Sequence, residues 1–159
     1  QKLQNANYAG QIEAIGKSQA VIEFNLDGTI ISANQKFLDA VGYSLDEVKG
    51  KHHRIFVAKE DQNTHEYEEF WANLRKGHYH SGEYRRLRKN GDDIWIQASY
   101  NPIMDMNGRP FKVVKYASDV TLQARVRLQA KELTEQAVAN IQTVAAAAEE
   151  MLASVNEIS

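Results

Sequence analysis

The sequence predicts an α+β fold, a five-stranded antiparallel sheet with short helices grouped on one face, followed by a long C-terminal coiled-coil helix. Three observations carry that prediction. The pairs Asp27-Gly28, Asn90-Gly91 and Asn107-Gly108 each separate two runs of strand chemistry. Several short helical patterns, each with its own stop signal, lie between the first turn and the second. From residue 122 onward Gly, Pro and aromatic residues vanish and Ala dominates.

Residues 1–18 place Leu3, Tyr8, Ile12 and Ile15 at roughly helical spacing, which predicts a short amphipathic helix that packs on the residues C-terminal to it or arrives from an upstream domain. Residues 20–26 alternate as a strand, Asp27-Gly28 turns the chain because Gly supplies the positive φ, and residues 29–33 form the returning strand. Asn34 caps a helix bearing Phe37, Leu38 and Val41, which Gly42 ends. Ser44 and Glu47 form a capping box that opens a second short helix. Helical spacing returns at Tyr67, Phe70, Trp71 and Leu74 and stops at Gly77. Three further strands are expected over residues 79–87, 94–103 and 111–117. In the middle one, Ile94, Ile96, Ala98 and Tyr100 share the core face.

The tail reads differently. Ile141, Val144, Ala148, Met151, Val155 and Ile158 step by 3 and 4, the a and d positions of heptads, whereas Leu122, Val126, Leu133 and Ala137 keep another phase, a stutter near Leu133. A helix of this kind needs partner helices, so a homodimer through the C-terminal helix is expected. The domain organisation is therefore an N-terminal linker helix over 1–18, an α+β domain over 19–121 and a coiled-coil start over 122–159.

Composition excludes several classes. The 159 residues are 43% hydrophobic with net charge −2, which excludes wholesale disorder. A pI near 6.2 removes the electrostatic case for nucleic acid as a partner. With no Cys there is no disulfide scaffold, thiolate zinc site or cysteine nucleophile. That composition fits a reducing, cytoplasmic setting. No apolar stretch reaches the ~18–20 residues that cross a bilayer, and no signal peptide opens the chain. It begins without Met and stops inside a helical pattern, so a fragment of a longer protein is expected.

Ala33-Asn34 before the Phe37-Leu38 helix, then Gly42-Tyr43-Ser44, resembles the signature of PAS sensory domains. So do Arg88-Lys89-Asn90-Gly91, Trp95-Ile96, Asn101-Pro102-Ile103 and Asp119-Val120-Thr121, in family order over residues 19–121. The run from Ala145 to Ser154, small residues around an acidic pair, resembles the methylation helix of bacterial methyl-accepting chemotaxis proteins. Together they resemble a PAS-containing chemoreceptor of the aerotaxis or energy-taxis kind. The resemblance implies signal relay without catalysis, with a chemotaxis kinase, coupling protein, methyltransferase and methylesterase as partners. It implies that Glu150, the second acid of the pair, is the methylated residue. In the heptads Glu149 and Glu150 fall at b and c, both exposed, and Glu157 repeats the position of Glu150 one heptad on.

The resemblance also implies a cofactor or ligand: FAD, or alternatively haem or none. Trp71 matches a tryptophan that aerotaxis-type receptors connect with flavin binding, while its helical spacing alone makes it a core residue. His53, with His52, lies near where some PAS domains place a haem ligand; a solvated or capping role in an exposed His-His pair is the other reading. His78 and His80 share a strand face at period two, as a chelating pair or an exposed face. Arg86 falls on the sheet's inner face, toward a phosphate, a flavin carbonyl or a propionate, or else pairs with Glu66, Glu68 and Glu69. Ile96 belongs to the apolar floor, which offers a flavin few hydrogen bonds. A light-sensing flavin domain needs a cysteine, which is lacking. Asp119 and Thr121 form the junction that relays a change to the tail. The competing readings are a ligand-free PAS dimerisation module and the input of a sensor kinase, which would need a phospho-accepting His, and none occurs after His80.

Overall fold

The computed structural model describes residues 1–158 and divides into two compact units, one ending at Thr121 and the other starting at Leu122. In the first unit, strands β1 (Ala20–Phe24), β2 (Ile30–Ala33), β3 (His80–Leu87), β4 (Asp93–Met104) and β5 (Pro110–Asp119) form one sheet in the order β2-β1-β5-β4-β3, with every pairing antiparallel. The sheet is predominantly as the sequence predicts, with ends displaced by one or two residues.

Local chemistry explains the connections. The β1–β2 turn closes with Asn25 N–H donating to the Thr29 carbonyl at 2.8 Å, and Gly28 adopts φ +91°. A Cβ there would stand 2.4 Å from His52 Nε2, so glycine is required by the backbone and by the approaching ring. Asn34 Oδ1 accepts from Phe37 N–H at 3.0 Å and opens helix α2 (Gln35–Val41), which Gly42 ends at φ +79°. Ser44 and Glu47 form the expected capping box of helix α3 (Leu45–Val48). Two 3₁₀ turns, His53–Phe56 and Lys59–Asp61, lead into helix α4 (His65–Arg75), capped by Thr64.

These short elements cover one face of the sheet. Phe37, Leu38, Val41, Val48, Phe56, Trp71 and Leu74 pack onto Ile22, Phe24, Ile94, Ile96, Ala98 and Tyr100. Each large apolar side chain buried there contributes about 1.5–3 kcal/mol. The predicted core face of β4 is the buried one, with Tyr100 0% and Ile94 1% exposed.

The N-terminal helix α1 (Lys2–Ser18) forms, but no residue of it is buried, and Leu3, Tyr8 and Ile12 are exposed. Its apolar residues therefore do not pack on the domain. Its last turn is held by Asn34 Nδ2 donating to the Gly16 carbonyl at 3.2 Å and Lys36 Nζ donating to the Ser18 carbonyl at 3.4 Å.

Helix α5 (Thr121–Ile158), which starts on the last residue of the first unit and continues through the second, runs 38 residues, about 57 Å at about 1.5 Å per residue. It continues unbroken past Leu133, where the apolar pattern changes phase. Ile141, Val144, Met151 and Val155 stand exposed along it.

Candidate functional site

Tyr100 is the centre of a buried polar group. Inward alternation along β4 places its side chain under the helices, and its Oη lies 3.0 Å from His53 Nε2. His53 enters from the first 3₁₀ turn, and its Nδ1 lies 2.7 Å from Tyr67 Oη on α4. Arg86 of β3 donates from Nη2 to Tyr100 Oη at 3.2 Å, with its guanidinium 4.9 Å over the Tyr84 ring. Lys115 of β5 stands opposite Tyr100 in register, and its Nζ lies 4.8 Å from the Tyr100 ring centre and 5.5 Å from that of Phe37.

The surroundings set the charges. Burial, then the cations Arg86 and Lys115, hold the His53 imidazole well below its ordinary value, so it is neutral at neutral pH. One ring nitrogen then donates and the other accepts. Burial lowers the Lys115 ammonium and pushes the Tyr67 phenol up to about 12. Burial alone would push Tyr100 up as well, but the Arg86 and Lys115 charges outweigh it and bring that phenol below its ordinary value. Arg86 and Lys115 border a cavity of about 20 Å³, room for about one water, whose other walls include Phe37, Phe56, Ile94, Ile96 and Asp119.

The predicted site residues occupy several distinct places. Trp71 is buried at 4% exposure, edge-on to Phe24 and His53 at 5.5 Å each, away from the Arg86–Lys115 cavity. Its Nε1 makes no hydrogen bond of ordinary geometry, and the acceptor nearest to it in effect is the Tyr67 hydroxyl, whose phenol the Trp71 N–H lowers against burial. Ile96 lies on the cavity wall. Arg86 does face inward, and the alternative ion pair with Glu66, Glu68 and Glu69 does not form. Its neighbour Arg85 pairs outward with Glu60 and Asp93 because alternation puts the two arginines on opposite faces. The His-His pair is not exposed as a unit. His52 Nδ1 caps the turn by accepting from Arg54 N–H at 3.0 Å, whereas His53 is wholly buried because the 3₁₀ turn rotates it under the sheet. With both nitrogens bonded, His53 would have to release a tyrosine before it met iron. His78 precedes β3, so it does not share a strand face with His80, which instead stacks on Phe70 at 4.6 Å. Glu149, Glu150 and Glu157 are exposed on α5.

At the end of β5, Asp119 accepts from Thr121 N–H at 2.9 Å and from Thr121 Oγ1 at 2.5 Å, and lies 3.6 Å from Arg88. Those bonds hold its carboxyl below the ordinary range against the opposing effect of burial. Thr121 Oγ1 also accepts from Trp95 N–H at 3.0 Å.

Sequence reading missed Lys115, Tyr67 and the polar role of Tyr100. For Lys115 the signal was present: Val113, Lys115 and Ala117 alternate at period two, so two apolar neighbours on one face place the lysine inside.

This sheet, its helices and its buried site define a PAS domain. The family described as "PAS fold" matches residues 30–117, more than half of the chain, and the chain belongs to it. Over 121 residues it is 40% identical to Biofilm dispersion protein BdlA of Pseudomonas aeruginosa, covering 76% of this chain and 29% of that protein. It is 34% identical over 80 residues to the Aerotaxis receptor of Escherichia coli, covering 50% of this chain and 16% of the receptor. The chain thus spans less than a third of the length of either relative. Among solved structures, an RNA-binding light-oxygen-voltage receptor superposes with TM-score 0.68 at 23% identity, over 80% of this chain and 37% of that one. A light-oxygen-voltage domain from work on a flavin analogue gives 0.62 at 23% identity, over 79% of this chain and 96% of its own. These two likenesses establish the fold.

Proposed function

We propose that residues 19–121 are the sensory module of a bacterial chemoreceptor that responds to redox state, oxygen or a small ligand. Helix α5 carries the response toward the chemotaxis kinase and its coupling protein. The observation that carries this reading is the Asp119–Thr121 joint. Asp119 borders the cavity and bonds the first residue of α5, which is bonded in turn to Trp95 between the cavity residues Ile94 and Ile96. A change of charge or shape in the cavity therefore reaches the start of the helix through two hydrogen bonds. To act as a signal it must bias two packings of α5 against its partner.

In this reading α5 pairs with a second copy through Ile141, Val144, Met151 and Val155, and a methyltransferase and methylesterase act on Glu150, with Glu149 and Glu157 as further positions. FAD is the cofactor the reading favours, and when bound it would supply a redox-dependent charge. Arg86 Nε, buried on the cavity wall without an acceptor, suits one of its carbonyl oxygens, whereas Trp71 stands off that wall beside Tyr67. The cavity, at about 20 Å³, does not hold its ring system unless α2 and the sheet separate. The setting proposed is cytoplasmic; no described helix is long and apolar enough to cross a membrane.

The test is Asp119→Ala in a receptor carrying this segment. Kinase control should be lost while the domain keeps its near-ultraviolet circular dichroism. Unchanged kinase control would refute the relay.

A further inference from the structure

Lys115 and Arg86 bring two positive charges to the wall of one small cavity, and among the described residues no carboxylate lies within 4.0 Å of either. A charge taken out of water without a counter-charge is costly. The aromatic faces of Tyr100, Phe37 and Tyr84 offset only part of that cost. Asp119, the one acid on the wall, is already committed to Thr121 and Arg88. Arg86 Nε is a buried donor with no acceptor. The cavity thus has an end that is cationic and rich in donors. Its remaining walls, Phe37, Val41, Phe56, Ile94 and Ile96, are apolar.

We propose that this cavity binds a small aliphatic monocarboxylate, with its carboxylate held by Lys115 and Arg86 and its alkyl end against Phe37, Val41 and Ile96. The proposal rests on the sensory reading of the same cavity and deepens it by naming the ligand class. The anion should be singly charged, because a second carboxylate would face either the apolar wall or Asp119. It should be small, because space for about one water grows to the size of acetate or propionate by modest yielding of Phe37 and Phe56. An inorganic oxyanion satisfies the cationic end but leaves the apolar walls against charge. A carboxylate brings a counter-ion for Lys115 and an acceptor for Arg86, so the occupied cavity has a charge balance the empty one lacks.

The test is thermal unfolding of the whole chain at pH 7.5 in sodium acetate, sodium propionate or sodium chloride of equal ionic strength. Acetate and propionate should raise Tm saturably by several degrees over chloride, propionate more than acetate. The Lys115→Met variant should fold with an equal or higher Tm in chloride, because a buried ammonium has gone, and should lose the carboxylate-dependent rise. Equal Tm values in all three salts would overturn the proposal, and so would an undiminished rise in Lys115→Met. An absorption spectrum separates the sources of a carboxylate. No Soret band together with the acetate shift supports the free acid, whereas a Soret band without that shift overturns it in favour of a haem carboxylate. The Asp119→Ala output test is independent of these salts. A protein that Asp119→Ala uncouples, but that ignores acetate, refutes the ligand class and leaves the sensory reading in place.

Discussion

His53 Nε2 and Tyr100 Oη meet 3.0 Å apart beneath the sheet, between two side chains that repel a proton on the imidazole, Arg86 and Lys115. The folded state therefore holds His53 neutral, while the unfolded chain protonates it near pH 6.5. Between the depressed folded value and 6.5 the unfolded state binds more protons, so stability rises with pH there and is lost as pH falls. Each unit of depression is worth about 1.4 kcal/mol. Urea denaturation at pH 7.5 and pH 5.5 should show wild type losing stability over that interval and His53→Gln, which cannot titrate, losing much less. Equal losses would place the effect elsewhere, for instance on the half-buried His52.

Gly28 is held at φ +91° with His52 Nε2 against the position a Cβ would take. Gly28→Ala should destabilise the domain by roughly 1–3 kcal/mol, through backbone strain and displacement of the His52 ring. Chemical denaturation measures the loss. A change within about 0.5 kcal/mol would mean that the turn and the ring both yield freely.

Asp119 bonds a backbone amide and a hydroxyl two residues on. Removing it should cost about 1–2 kcal/mol locally and accelerate amide hydrogen exchange at Thr121, with Ile94 and Ile96 unaffected. Acceleration spread over the whole sheet would make Asp119 a determinant of global stability instead of a joint.

On α5, exposed Glu150 should gain 14 Da per methylation event when incubated with a cognate methyltransferase and methyl donor. Glu150→Gln should remove most of the increment in the intact mass. Methylation undiminished in that variant would assign the modification to Glu149 or Glu157.

How far the sequence revealed the fold depends on the range of the interactions involved. Asp27-Gly28, Asn34, and Ser44 with Glu47 act within a few residues, so the turn, the helix cap and the capping box appear in the structure where their chemistry requires. The core face of β4 comes from alternation alone. The buried site depends on pairings that span the chain: His53 meets Tyr100 across 47 residues, and Lys115 of β5 reaches Phe37 of α2. No local pattern encodes those. Arg86 was legible as inward-facing because it lies two residues from Tyr84, yet its partner is a phenol and no acid. Helix α1 shows the reverse failure, since local spacing produced the helix but none of the described residues buries its apolar side chains.

The central claim is that the state of the cavity governs how α5 meets a second copy of itself. The chain has no native cysteine, so single cysteines report that contact cleanly. Val144→Cys lies on the seam and Ala146→Cys away from it. On mild oxidation, Val144→Cys should form disulfide-linked dimers several-fold faster than Ala146→Cys, and adding Asp119→Ala should change the Val144→Cys rate. Equal rates at both positions, or a Val144→Cys rate indifferent to Asp119, would contradict the account.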